Sequence, residues 1–137
     1  MQLPLSDRVA VVTGATHGLG EATAKHLASL GAAVVLLARH QEGLDRVESS
    51  LLNDGHSVLS VASDVADQKQ VQKTAEKILN QFGRVDILIN NVGIPAPIGF
   101  QETSFADWDR VIGVNLSSAF YITRALWQAL VDSKAGY

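Results

Sequence analysis

The chain has no cysteine, one methionine and only 6% aromatic residues, and its net charge is −3. Without cysteine there is neither a disulfide framework nor a thiolate zinc site, which fits a cytoplasmic setting. Basic residues are no excess, 11 Lys and Arg against 14 Asp and Glu, and they are scattered, so nothing points to nucleic acid. No apolar run approaches the roughly 20 residues of a membrane span. The leading MQLPLSDRVAVV lacks the basic region, apolar core and cleavage site of a signal peptide. The histidines, His17, His26, His40 and His56, are far apart and show no ligand spacing, so no metal site is expected.

What is present is a chain of 137 residues, 47% hydrophobic, the size of one globular domain spanning 1–137. Its organising stretch is Arg8 to Gly20, RVAVVTGATHGLG. Val9 to Val12 is a continuous apolar, β-branched run, as a strand covered on both faces requires. Gly14, Gly18 and Gly20 follow, and Leu19, Thr23, Leu27 and Leu30 then recur at helical intervals, predicting a helix that buries that side. Glycines let the main chain approach a ligand's phosphates, and a helix start offers free N–H groups and a positive dipole end. An ordinary strand-to-helix turn is the plainer reading of such a loop. A P-loop is excluded because Glu21 follows Gly20 where Lys would be needed.

Beyond Gly31, Ala33 to Ala38 reads as a second buried strand and Gln41 to Asp54 as a helix with Leu44, Val47, Leu51 and Leu52 at helical spacing. Ser57 to Ala62 is a third strand, and Asp67 to Phe82 is the clearest amphipathic helix. Asp86 to Asn90 is the fourth strand. Alternation of strand and helix with right-handed crossovers predicts an α/β, Rossmann-like doubly wound parallel sheet of strand order 3-2-1-4. Pro95, Pro97 and Gly99 hold a loop before one long helix, about Ser104 to Asp132. That helix is apolar nearly all round, so something besides its own sheet must cover it. A fourth strand left as a sheet edge is an association hazard, and a homo-oligomer through this helix is expected.

If the loop grips a pyrophosphate, the adenosine ribose falls at the end of the second strand, at Leu37-Ala38-Arg39-His40. A guanidinium there suits a 2′-phosphate, although Arg39 read alone is only a solvated charge. A methyltransferase is disfavoured because no acidic residue for the ribose hydroxyls stands among those four.

TGATHGLG resembles the T-G-x-x-x-G-x-G motif of the short-chain dehydrogenase/reductase family, with matches at Thr13, Gly14, Gly18 and Gly20. The resemblance implies a cofactor loop made by Thr13, Gly14, Thr16, His17, Gly18, Leu19 and Gly20, with His17 as an added donor where some NADP-preferring relatives carry Lys or Arg. It sharpens the preference for NADP(H) over NAD(H), because NAD-preferring members carry Asp at the position of Ala38 and many NADP-preferring members carry Arg at that of Arg39, beside His40. Asp64-Val65 is similar to the family's adenine-contacting pair, though Asp64 can equally cap the next helix. Asn90, Val92 and Gly93 belong to N-N-V-G, which resembles N-N-A-G, and Asn115 matches the catalytic asparagine of the family's proton relay, unless it merely satisfies nearby backbone.

The activity so implied is hydride transfer between a nicotinamide and a small alcohol or carbonyl substrate, using Ser and Tyr-x-x-x-Lys from a later part of the family fold. No such set is found: Tyr121 is followed four residues on by Ala125, and Tyr137 is the last residue. Ser133-Lys134-Ala135-Gly136 resembles the tail of that segment without its tyrosine. The chain is therefore expected to be the cofactor-binding N-terminal half and catalytically incomplete, with a non-catalytic dinucleotide-binding or dimerisation module as the alternative.

Overall fold

A computed structural model describes residues 2–97 and 99–133. The elements run β1 (Val9–Thr13), α1 (Gly18–Ser29), β2 (Ala33–Ala38), α2 (Gln41–Asn53), β3 (Val58–Ala62), α3 (Gln68–Phe82), β4 (Ile87–Ile89), α4 (Phe105–Ile112), a π-helical turn (Gly113–Ser117) and α5 (Ser118–Asp132). The four strands form one parallel sheet in the order β3-β2-β1-β4, the order expected from the alternation of strands and helices. Lys134 to Tyr137, which carry most of the family-like tail, lie outside the described residues.

The unbroken apolar strands are explained by the two cores they serve. Val9 and Val11 of β1 and Val35 and Leu37 of β2 face one side, against Val71, Ala75 and Ile78 of α3 and Ile122 and Leu126 of α5. Their neighbours Ala10, Val12, Val34 and Leu36 face the other, against Ala24 and Ala28 of α1 and Leu44, Val47 and Leu51 of α2. Successive side chains alternate between faces, so a strand with helices on both sides has no polar position to spare.

Three expectations are corrected. The face of α1 that meets the sheet is Gly20, Ala24 and Ala28, not the Leu19 and Thr23 stripe; Leu19 is 76% exposed. Small residues win because α1 lies so close to β1 that a Cβ on Gly20 would overlap the Gly14 carbonyl oxygen. The long helix is two helices joined by a wide turn: the Ser118 N–H reaches back to the Gly113 carbonyl, and the Ser118 hydroxyl bonds the Val114 carbonyl. Strand four is only Ile87–Ile89; just before it the Val9 N–H of β1 is taken by the Asp86 carboxylate instead of a backbone carbonyl.

The two sheet edges differ. On β3 the Ser60 N–H (3.1 Å) and hydroxyl (2.8 Å) both donate to the Glu48 carboxylate on α2, which covers that edge. On β4, no side chain among the described residues bonds the backbone of Leu88, the middle residue of the strand.

At the N-terminal ends of β1 and β4 sits Asp86, its side chain fully buried. It accepts from the Arg84 guanidinium (2.6 and 2.9 Å), Arg8 (3.1 Å), the Val9 N–H (2.9 Å) and the Ser133 hydroxyl (2.6 Å). Burial alone would push its carboxyl up; Arg84, Ser133, Val9 and Arg8 together outweigh that and hold it well below the usual carboxylate range.

Two outcomes follow for stability. A group with a depressed native pKa stabilises fully above its unfolded value, near 4, and loses that contribution as pH falls through the native one. Asp86→Asn should therefore cost about 2–4 kcal/mol in urea unfolding at pH 7, and the gap to the parent protein should narrow below about pH 4. Gly20→Ala should cost at least about 1–3 kcal/mol by the same measurement, since the obstacle is backbone and cannot turn aside.

Candidate functional site

β1 ends at Thr13, and the carbonyls that leave its ladder must find other donors. The Asn91 side-chain amide supplies them, bonding the carbonyls of Thr13 (3.1 Å) and Gly14 (3.2 Å). In return the Thr13 hydroxyl accepts from the Asn91 (2.9 Å) and Val92 (3.1 Å) N–H groups and donates to the Ile89 carbonyl (3.2 Å). The turn after β1 and the loop after β4 are thereby sewn together. Gly14 and Gly18 take positive φ, 64° and 54°, which lets the chain double back into α1.

The start of α1 is electrostatically open. His17 is its N-cap residue but makes no capping hydrogen bond, and His40 leaves α2 uncapped in the same way. By contrast Asp67 caps α3 through the Lys69 and Gln70 N–H groups, and Ser104 with Asp107 forms a capping box on α4. Both α1 and α2, which lack a side-chain cap, start at the border of one cleft.

That cleft, about 340 Å³, runs along the C-terminal ends of the strands. One wall is Gly14, Thr16, His17, Gly18 and Leu19; a second is Ala38, Arg39, His40 and Gly43; a third is Ser63 to Ala66; and Asn91 to Ile94 with Val114 close it. A crevice at this point, where β1 is followed on one side by β2 and on the other by β4, is where open α/β sheets hold ligands. Arg39 is exposed and has no ion pair among the described residues. Among the described residues no three His, Asp or Glu side chains converge as a metal site would need.

Of the residues singled out from sequence, Gly14, Thr16, His17, Gly18, Leu19, Arg39, His40, Asp64, Val65, Val92 and Gly93 line this cleft. Thr13, 1% exposed, and the buried Gly20 stand behind its wall. Asn90 points elsewhere, donating to the Thr123 hydroxyl on α5 (3.1 Å). Asp64 does not cap α3; it accepts from the Ala66 N–H (2.9 Å) and shapes the turn. Asn115 lies in the π-helical turn, with both halves of its amide on the Ile94 backbone, at 2.7 and 2.9 Å. One donor and one lone pair of that amide are left over.

The Asn90 to Gly93 segment was expected at the site as a unit, and only the end of β1, 78 residues away, shows that Asn91 is the asparagine that does the sewing; one site residue, Gly43, was missed. Gly43 carried a signal: glycine is a poor helix former and marks a close approach when it interrupts a helix. A Cβ there would lie 3.0 Å from the Thr16 Cβ.

Glu21, in the first turn of α1, is held down to about 2 by the Arg46 guanidinium first and the Lys25 ammonium second. It is therefore ionised near neutral pH. No described helix is long and apolar enough to cross a membrane.

Comparison with known proteins agrees with this geometry. The short chain dehydrogenase family profile matches residues 8–137. The chain is 34% identical over 132 residues to a D-threitol dehydrogenase of Mycolicibacterium smegmatis, covering 96% of this chain and 51% of that protein. It superposes with a TM-score of 0.91 on a metagenomic short-chain oxidoreductase in complex with NADP, 39% identical, covering 96% of this chain and 60% of that one. An NAD+-bound xylitol dehydrogenase gives the same TM-score at 30% identity, covering 97% of this chain and 52% of that one. The chain thus spans about half the length of the curated relatives it matches. A profile match over nearly the whole chain, joined to this fold and this glycine-walled cleft, identifies it as belonging to the short-chain dehydrogenase family.

Proposed function

We propose that the cleft binds a nicotinamide dinucleotide, NADP(H) in preference to NAD(H), and that the binding serves the interconversion of an alcohol and a ketone or aldehyde. The observation that carries this reading is the pair of uncapped helix starts facing one cleft, with the unpaired Arg39 between them. Backbone N–H groups and the dipole of α1 favour the pyrophosphate at Gly14 to Gly20. Arg39, with His40 and His17 nearby in sequence or across the cleft, supplies the fork for a 2′-phosphate.

The residues fit such a group. A Cβ added at Gly18 would meet nothing within 4 Å, so the space over the loop is open. The cleft volume is within the range of ligand sites. Asp64 and Val65 form the wall an adenine would meet, and Val92 and Gly93, with Asn115 bracing Ile94, lie toward the nicotinamide end. The bound nicotinamide supplies the hydride chemistry; this chain's residues bind it, orient it and hold its phosphates. The remaining amide capacity of Asn115 is available for a proton relay. A relative has NADP bound and another NAD+, so Arg39 is the discriminating feature offered here.

A second reading, a dinucleotide-binding module that self-associates without turnover, is favoured by the exposed Phe105, Trp108, Leu116, Phe120 and Trp127 on α4, the π-helical turn and α5. In either reading the 137 residues lack the Tyr-x-x-x-Lys pair through which the family moves its proton.

Calorimetric titration of the chain should show NADPH binding at least about ten-fold more tightly than NADH, a difference of about 1.4 kcal/mol. Arg39→Asp should erase that preference, and binding of neither dinucleotide would overturn the reading. The same chain with NADPH and a panel of small ketones and aldehydes should give no oxidation at 340 nm; turnover would refute catalytic incompleteness. Sedimentation should return a species heavier than one chain, and a monomer at micromolar concentration would remove the self-associating alternative.

A further inference from the structure

The glycine loop is held from the side as well as from below. Arg46, on α2, donates from Nη2 to the Thr16 carbonyl in the middle of that loop. The same guanidinium bonds both Glu21 carboxylate oxygens, Nη1 to Oε1 at 3.1 Å and Nη2 to Oε2 at 2.7 Å. Glu21 belongs to the first turn of α1, and Lys25 Nζ, one turn on, completes its partners at 2.7 Å. Three residues before Arg46, Gly43 brings the α2 backbone so near that a Cβ would press on the Thr16 Cβ and Cγ2 at 3.0 Å each.

Thr16 is therefore gripped on its side chain by Gly43 and on its carbonyl by Arg46, both from α2. That helix starts immediately after Arg39 and His40 and is anchored to the sheet by Leu44, Val47 and Leu51. Arg46 itself does not line the cleft. A single surface ion pair is worth little, but a planar fork that bridges a carboxylate and a carbonyl fixes an orientation.

We propose that Arg46, steadied by Glu21, is a positioning residue of the cofactor site: it locks the Thr16 carbonyl to α2 and so fixes the separation between the phosphate-binding loop and the Arg39–His40 turn. The proposal rests on the cofactor reading above and adds to it a residue that touches no part of the ligand. A dinucleotide spans both walls, so an unlocked loop must be ordered again each time one binds. The loss falls on any ligand using the loop, whatever stands on its ribose 2′ position.

The test compares the parent chain with Arg46→Met, Glu21→Gln and the double variant, by hydrogen exchange without ligand and by titration with NADPH and NADH separately. Exchange at the amides of residues 16–20 should speed up about ten-fold in either single variant while β1 and β2 keep their protection. Both dinucleotides should weaken by the same factor, about ten-fold, and the double variant should be no worse than the worse single one. Unchanged loop exchange overturns the lock whatever the titrations show. A loss confined to NADPH overturns it in favour of direct contact between Arg46 and the 2′-phosphate. A loosened loop in variants of a parent that binds neither dinucleotide overturns the cofactor reading, and the positioning role with it.

Discussion

The close approach of Gly14 and Gly20 is the contact on which the rest of the molecule depends. Peptide meets peptide there with no side chain between, and the Asn91 amide fills the remaining hydrogen-bonding need. The consequence spreads through the chain: α1 must use Ala24 and Ala28 below that point, because any larger residue would lift the helix off β1. The start of α1 is then aimed over the strand ends, and its amides face the cleft. The wall of the cleft results from a packing constraint.

The two ends of the sheet divide the labour. At the N-terminal end a buried carboxylate gathers two guanidinium groups, a backbone amide and the hydroxyl just after α5, so both its oxygens are fully hydrogen-bonded. At the C-terminal end fewer polar groups are matched: two helix starts without a side-chain cap, and Arg39 with no ion pair among the described residues. The hydrogen-bonded carboxylate thus sits at the end of the sheet away from the cleft. What remains unsatisfied at the other end is available to an anion.

The sheet order and two-sided burial were legible because the β1 and β2 runs have no polar position, a pattern with few structural solutions. That the glycine loop and Arg39 come to one cleft was legible from their places just after β1 and β2. The face of α1 was misread because hydrophobicity marks large residues, whereas closeness selects small ones; Leu19 projects outward and Gly20 inward. The break at Gly113–Ser117 was invisible to a helical period, since a π-helical turn keeps the apolar character while shifting its phase. Arg46 and Glu21 could not be placed at all, and Asn91 could not be told apart from Asn90, as each acquires its role from a partner that only the folded chain brings near.

The unequal edges of the sheet give it a polarity. At β3 the outward N–H and hydroxyl of Ser60 are already spent on Glu48, so an approaching strand would meet a carboxylate at the middle of that edge. At β4 the ladder faces outward with its middle residue unclaimed by any described side chain. The sheet is consequently better disposed to take a further strand beside β4, as the fifth in line, than beside β3.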